Sequence, residues 1–328
     1  MVVVVDLTGR LGTWLPADAV EALRRELDSQ CQVLTASSAA ELTVAMGEAE
    51  VYFGVGITRP LFLAAPRLRW IHLATASVAS ALFEELVRSD VPLTNAAGVT
   101  AVPIAEHVVG GILYFLRSLD VALARQRQAA WDEASFTEGA RAAREVAGCR
   151  VLVIGTGHIG SAVAERLAAF GASCVGVRRR LHLGVPKGFE RVVGPGDLDG
   201  ELPRADVVVV AAPRTSETTA LLDESRLALL PRHAVVVNVA RGGVVDEAAL
   251  GRRLGAGALR GAVLDVFSAE PLPPQSPLWP LSSALVTPHV AAASPHVAAR
   301  QLGLFTDNLR RYLGGEPLQN VVDKAAGY

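Results

Sequence analysis

Residues 151–160 read VLVIGTGHIG, an apolar run that passes into a glycine-rich turn and then into the helix-forming stretch SAVAERLAAF. No other feature restricts the fold as much. A strand apolar at nearly every position is buried on both faces, which places it in a parallel sheet with helices on either side. Gly155, Gly157 and Gly160 have G-x-G-x-x-G spacing at the strand–helix junction. The first permits the tight turn, the second lets backbone approach a pyrophosphate, and the third lets helix and strand pack closely. Amides at the helix start, including those of His158 and Ile159, can then meet phosphate charge. A tight structural turn in an unrelated α/β protein is the alternative reading.

The surrounding pattern predicts two α/β domains. Before the turn, VVVV at 2–5, Gln32–Leu34, VYFGV, RLRWIHL and VPLTN read as strands. Segments near Pro16–Leu27 and Ser80–Arg88 read as helices, and none of the intervening turns clusters glycines. This reads as a smaller α/β domain, expected to be flavodoxin-like. Residues 101–129 read as one long helix with Pro103 in its first turn and Gly110–Gly111 allowing close packing, an element suited to joining domains. After Gly148, VLVI, SCVGV, ADVVVVA, HAVVVNVA, LRGAVLDVF and ALVTP supply the strands of a Rossmann-type parallel-sheet nucleotide domain, with DEAALGRRLGAG as a crossover helix. The terminal helix in SPHVAARQLGLFTDNLRRYLGG is expected to return to the first domain. The predicted boundaries are 1–100 plus 290–328 for the substrate domain and 101–289 for the dinucleotide domain.

Composition narrows the function. The formal net charge of −2 gives no global electrostatic case for nucleic acid. No window approaches a membrane span, and the start lacks the pattern of a signal peptide. Cys31, Cys149 and Cys174 are dispersed and odd in number, against a disulfide scaffold, so a cytoplasmic setting is expected.

The next strand end bears on the cofactor. An acid there would accept from the NAD ribose, but the chain reads Arg178, Arg179 and Arg180. Guanidinium groups pair with the 2′-phosphate of NADP, so NADP(H) is favoured and NAD(H) kept as the alternative. Chain order leaves open which arginines reach phosphate. Downstream, Arg241, Glu270 and His289 follow or abut apolar strands, where open α/β sheets place ligands. Arg241 would clamp a substrate carboxylate, His289 would exchange a proton with the carbonyl oxygen, and Glu270 would orient the imidazole and favour its protonated form. His107 and His296 read as structural or surface residues, and His72 as packing more than cleft. The histidines and cysteines lack metal-site spacing, so no metal is expected.

Taken together, GTGHIG, NVARG, DVFSAEPLP, SPLW and TPHVAA resemble the D-isomer-specific 2-hydroxyacid dehydrogenase family over almost the whole chain. EPLPPQSPLW and the ending VDKAAGY resemble its glyoxylate/hydroxypyruvate reductase branch. The resemblance implies a homodimer associating through its nucleotide domains, with catalysis in a cleft beneath the smaller domain. It implies the same trio, Arg241, Glu270 and His289. Asp265 would lie near the nicotinamide carboxamide, with a strand-end cap as its alternative reading, Pro213 would pass close to the dinucleotide, and backbone amides of Ala76 and Ser77 would hold the substrate carboxylate. Ser77 and Ala79 stand where the family usually has a glycine and then an acid.

The expected activity is NADPH-dependent reduction of small 2-oxoacids to 2-hydroxyacids, acting on the CH–OH group in reverse. The alternatives are an NAD-dependent D-2-hydroxyacid dehydrogenase with a bulkier substrate, and a noncatalytic dinucleotide-binding regulator.

Overall fold

The computed structural model describes residues 1–15, 17–27 and 30–327. Pro16, at which one predicted helix begins, and Tyr328, in the branch-like ending, lie outside the described residues. From the N-terminus come β1 (Val2–Asp6), α1 (Arg10–Trp14), α2 (Ala17–Leu27), β2 (Gln32–Ala36), α3 (Ala39–Met46), β3 (Val51–Gly54), α4 (Arg59–Leu63), β4 (Trp70–Leu73), α5 (Glu84–Arg88) and β5 (Leu93–Asn95). Then follow α6 (Ala101–Leu116), α7 (Leu119–Arg127), α8 (Ala134–Thr137), β6 (Arg150–Ile154), α9 (His158–Ala169), β7 (Ser173–Val177), β8 (Arg191–Val193), α10 (Leu198–Glu201) and β9 (Val207–Val210). The chain ends with α11 (Glu224–Leu229), β10 (Val235–Asn238), α12 (Glu247–Gly255), β11 (Gly261–Leu264), β12 (Ala284–Val286) and α13 (Val297–Gly314).

The chain divides into two compact units, Met1–Val99 with Ser294–Tyr328, and Thr100–Ala293. The first holds a five-stranded sheet in the order β2-β1-β3-β4-β5, and the second a seven-stranded sheet in the order β12-β11-β10-β9-β6-β7-β8. All strand pairings in both sheets are parallel.

Side-chain alternation explains the unbroken apolar strands of the second unit. Val207, Val209, Val235 and Val237 pack with Val108 and Ile112 of α6 and Val163 and Leu167 of α9. Val208, Val210 and Val236 point the other way, against Leu198 of α10, Leu227 of α11, and Leu250 and Leu254 of α12. Each such valine is worth roughly 1.5–3 kcal/mol when fully buried, and a strand covered on both faces uses every position.

The first unit follows the same logic. Val3, Val5, Phe53 and Trp70 meet Val20 and Leu23 of α2 and Phe305 and Leu309 of α13. Val4, Tyr52, Ile71 and Leu73 meet Leu42 and Met46 of α3 and Leu86 of α5. His72 is fully buried, its Nδ1 2.7 Å from Thr94 Oγ1. Burial pushes its pKa down to about 3, so it serves packing.

Three local readings of the sequence need correction. The stretch 101–129 is two helices: Ser118 takes a left-handed conformation (φ 56°), and α6 and α7 meet at 64°. The break is held by Arg260, whose guanidinium donates to the Phe115 carbonyl (2.7 Å) at the end of α6 and bidentately to Asp120 (2.9 and 2.7 Å) in the first turn of α7. Around Ser80–Arg88 a 3-10 turn over Ala79–Ala81 precedes α5, which starts only at Glu84. Two short helices, α3 and α4, were overlooked, although Ser38 and Thr58 cap them by accepting from the amides of Glu41 and Leu61. No single helix among the described residues is long and apolar enough to cross a membrane.

Candidate active site

The glycine turn connects β6 to α9, which begins at His158, inside the motif. Gly155 takes φ +100°, and a β-carbon there would come 2.7 Å from the Ala212 amide nitrogen. At Gly160 a β-carbon would overlap the Gly155 carbonyl oxygen. Both positions are closed to side chains by the protein's own backbone. Gly157 differs: it is the N-cap of α9, and a β-carbon there would meet no protein atom within 4 Å. Its smallness leaves open space in front of the amides of His158 and Ile159, which lack intrahelical acceptors. Helix-start N–H donors facing open space are what a pyrophosphate needs, so the residues present fit a dinucleotide.

Either side of the turn is framed by neighbouring loops. The Gly155 amide donates to Val177 O (2.9 Å), tying it to the end of β7, and Ala211 donates to Ile154 O (2.8 Å), tying it to the end of β9. Arg178 donates to Thr156 Oγ1 within the turn (3.4 Å) and to the Gly184 carbonyl. Pro213 is exposed, and its carbonyl accepts from Thr218 Oγ1 (2.7 Å).

At the ends of β10, β11 and β12 the structure assembles the predicted polar residues. His289 Nδ1 lies 2.8 Å from Glu270 Oε2, while Glu270 Oε1 accepts from the Phe267 amide (2.9 Å). Both side chains retain solvent access, 50% for His289 and 36% for Glu270, as groups that must reach a ligand require. Burial alone would push the Glu270 carboxyl up, but the hydrogen bonds from His289 and the Phe267 amide, with the charge of Arg241 nearby, outweigh it and hold the carboxyl below its ordinary range. Arg241 is exposed, with Nη1 donating to the Ala240 carbonyl (2.7 Å).

Two devices put these groups in place, and sequence reading missed the first. Gly242 presses against the other loop so closely that a β-carbon would overlap the Phe267 carbonyl; this packs the Arg241 turn onto the segment leading to Glu270. Asn238, at the end of β10, shapes that turn by accepting from the Ala240 amide (3.2 Å) and donating to Arg241 O (3.2 Å). The second device is Asp265, 2% exposed. One of its oxygens accepts from Thr287 Oγ1 (2.6 Å) and the Val290 amide (2.9 Å), and the other from the Ala291 amide (3.0 Å). This clamp holds His289 at φ +55°, a conformation unfavourable for a side chain with a β-carbon. Asp265 thus positions His289. A signal for it existed in the sequence: an acid closing an otherwise apolar strand has to find donors.

The expected substrate loop follows β4 in the first unit. The Ala76 carbonyl accepts from Asn95 Nδ2 (2.9 Å) and the Ser77 carbonyl from Thr75 Oγ1 (2.9 Å). Among the described residues the amides of Ala76 and Ser77 have no protein acceptor, and both residues are exposed.

Comparison with known proteins shows the family. Residues 109–291, more than half of the chain, match the family described as D-isomer specific 2-hydroxyacid dehydrogenase, NAD binding domain. A D-3-phosphoglycerate dehydrogenase of Mycobacterium bovis is 33% identical over 264 residues, 80% of this chain and 48% of that protein. The chain thus spans about half the length of the curated relatives of this kind that it matches. Among solved structures, a D-isomer specific 2-hydroxyacid dehydrogenase from Xanthobacter autotrophicus in complex with NADPH superposes with a TM-score of 0.81 at 31% identity, covering 99% of each chain. An NADPH-dependent glyoxylate/hydroxypyruvate reductase from Sinorhizobium meliloti in complex with NADP gives 0.78 at 30% identity, covering 100% of this chain and 99% of that one. The chain belongs to the D-isomer-specific 2-hydroxyacid dehydrogenase family.

Proposed function

We propose that this protein is an NADPH-dependent reductase of small 2-oxoacids of the glyoxylate or hydroxypyruvate kind, yielding 2-hydroxyacids. The observation that carries the reading is the Glu270–His289 pair with Arg241 close enough to act on the Glu270 charge. A bound reduced nicotinamide would supply hydride to the carbonyl carbon. Arg241 grips the substrate carboxylate through charge-assisted hydrogen bonds and so orients the carbonyl. His289, held by Glu270 through Nδ1, presents Nε2 to the carbonyl oxygen and delivers the proton. Gly155, Gly157, His158, Ile159 and Gly160 hold the pyrophosphate, the Arg178–Arg180 run supplies the 2′-phosphate partner, and Pro213 lines the dinucleotide. Asp265 has three donors on its oxygens, which leaves one of about four acceptor sites for the carboxamide. The acceptor-free amides of Ala76 and Ser77 support their role as carboxylate donors.

In this reading Thr100–Ala293 is the dinucleotide domain. The other unit is the substrate domain, its 2-1-3-4-5 strand order supporting a flavodoxin-like assignment. The likeness to the NADPH-bound and NADP-bound structures supports the cofactor. Free Cys31, Cys149 and Cys174 suit a cytoplasmic setting, and association as a homodimer is part of the proposal.

Similarity to D-3-phosphoglycerate dehydrogenases favours a second reading, NAD-linked oxidation of a bulkier D-2-hydroxyacid. Nicotinamide absorbance followed with NADPH or NADH against glyoxylate, hydroxypyruvate, pyruvate and phenylpyruvate separates the two. NADPH with the smaller acids gives the highest kcat/KM if the first holds. NADH preference moves the assignment to the second, and no turnover of any 2-oxoacid rejects both.

A further inference from the structure

The three consecutive arginines after β7 do not share one environment. Arg178 is committed to the protein, bracing the glycine turn through Thr156 Oγ1 and the following loop through the Gly184 carbonyl. Arg179 instead reaches outward, its Nη1 2.7 Å from Glu217 Oε2, with side-chain exposures of 51% and 62%. Glu217 belongs to the segment after β9. In the sheet, β6 lies between β9 and β7, so this ion pair links the loops flanking the strand that carries the glycine turn. An exposed pair of this kind is weak and readily exchanged. A phosphate dianion is a stronger partner for a guanidinium than one solvated carboxylate, and a carboxylate left beside it is repulsive.

We propose that Glu217 tunes cofactor choice by competing with the adenosine 2′-phosphate for Arg179: Arg179 reads the phosphate, Arg178 positions the turn, and Glu217 sets how strongly the phosphate is preferred. The inference rests on the reading of NADPH as cofactor and names the residues that set its margin. It predicts a selectivity held below its ceiling, since the carboxylate that stabilises Arg179 in the free enzyme must be displaced by the nucleotide.

The test is calorimetric titration of the full chain with 2′,5′-ADP and with 5′-AMP, which differ only in the 2′-phosphate and need no turnover. The preference is the ratio of the two Kd values. Glu217→Gln is expected to raise that preference about fivefold, the size of one released exposed ion pair, through tighter 2′,5′-ADP binding with 5′-AMP unchanged. Arg179→Gln is expected to lower the preference and to abolish the effect of Glu217→Gln in the double variant. Arg178→Gln is expected to weaken both nucleotides alike. A Glu217→Gln preference within twofold of wild type, or an effect that persists without Arg179, overturns the inference. Wild type preferring 2′,5′-ADP with no response to Glu217→Gln rejects it and leaves the NADPH reading standing. Equal binding of the two nucleotides by wild type and Glu217→Gln alike rejects both.

Discussion

Gly157 and Gly160 sit three residues apart in one turn, yet alanine at each should fail for opposite reasons. At Gly160 the β-carbon overlaps a backbone carbonyl, which cannot swing away as a side chain could. Overpacking against backbone costs about 3 kcal/mol at the upper end of the usual range. At roughly 2–4 °C per kcal/mol for a unit of this size, Gly160→Ala should lower the thermal midpoint of the dinucleotide unit by about 6–12 °C. At Gly157 the backbone is extended (φ −76°, ψ −163°) and no protein atom lies within 4 Å of an added β-carbon. Stiffening the unfolded chain gains about 0.4–1 kcal/mol, and alanine as a helix N-cap loses a similar amount. Gly157→Ala should therefore melt within about 3 °C of wild type. Its β-carbon would instead occupy the space proposed for the pyrophosphate. A comparable overpacking cost of about 1–3 kcal/mol becomes a loss of roughly 5- to 150-fold in NADP+ affinity. Scanning calorimetry and titration calorimetry on the two variants separate the effects. A Gly157→Ala protein that melts like wild type and binds NADP+ undiminished would refute this placement of the pyrophosphate.

Further predictions concern charge and burial. Because the Glu270 carboxyl is held below its ordinary range, its contribution to orienting His289 is fully present above the unfolded carboxylate value and is lost only as pH falls through the lower folded value. A labelled Glu270 carboxylate followed by 13C NMR should stay ionised at pH 5, and a midpoint above the usual glutamate value would contradict the hydrogen-bond geometry. Arg260→Met leaves the buried Asp120 carboxylate with only the long contact to Arg141 (3.9 Å) and uncaps α6, which should cost about 3 kcal/mol; Arg260→Met with Asp120→Leu should recover most of it in chemical denaturation. His72, with a folded pKa near 3, takes up its proton in the unfolded chain first. The stability of the first unit should fall by up to about 1.4 kcal/mol per pH unit as pH drops from roughly 6 toward 3. His72→Phe should flatten that slope in urea melts, and an unchanged slope would assign it elsewhere.

What the sequence made legible was local steric logic. The spacing of Gly155, Gly157 and Gly160 carries its own reason, because the φ of +100° at Gly155 and the contact of Gly160 with the Gly155 carbonyl lie within the turn. Valine-rich strands announced a sheet buried on both faces because a run apolar at every position is legible without its partners. The His289–Glu270 pair was anticipated from residue type and strand-end position. What remained hidden depends on contacts distant in sequence. Ser118 gives no sign of breaking a helix; the cause is Arg260, which lies 140 positions from its partner Asp120. In the sequence Asp265 reads as a cofactor contact or a strand-end cap, but which residues it caps, 287–291, is defined only once β11 and β12 are neighbours. The difference between Arg178 and Arg179 needs the loop path that brings Gly184 to one and Glu217 to the other.

The central claim is that Arg241, Glu270 and His289 direct a hydride from reduced nicotinamide to the carbonyl carbon of a 2-oxoacid. Deuterium transfer tests it most directly: the enzyme is supplied with NADPH deuterated in turn on each face of C4, together with hydroxypyruvate, and the product is examined by NMR and chiral chromatography. The account predicts deuterium at C2 of the D-hydroxyacid from one face only, with single-turnover transfer slowed roughly 10²- to 10⁴-fold in His289→Asn while NADPH affinity is kept. Product lacking the label at C2, product of L configuration, or undiminished transfer in His289→Asn would contradict it.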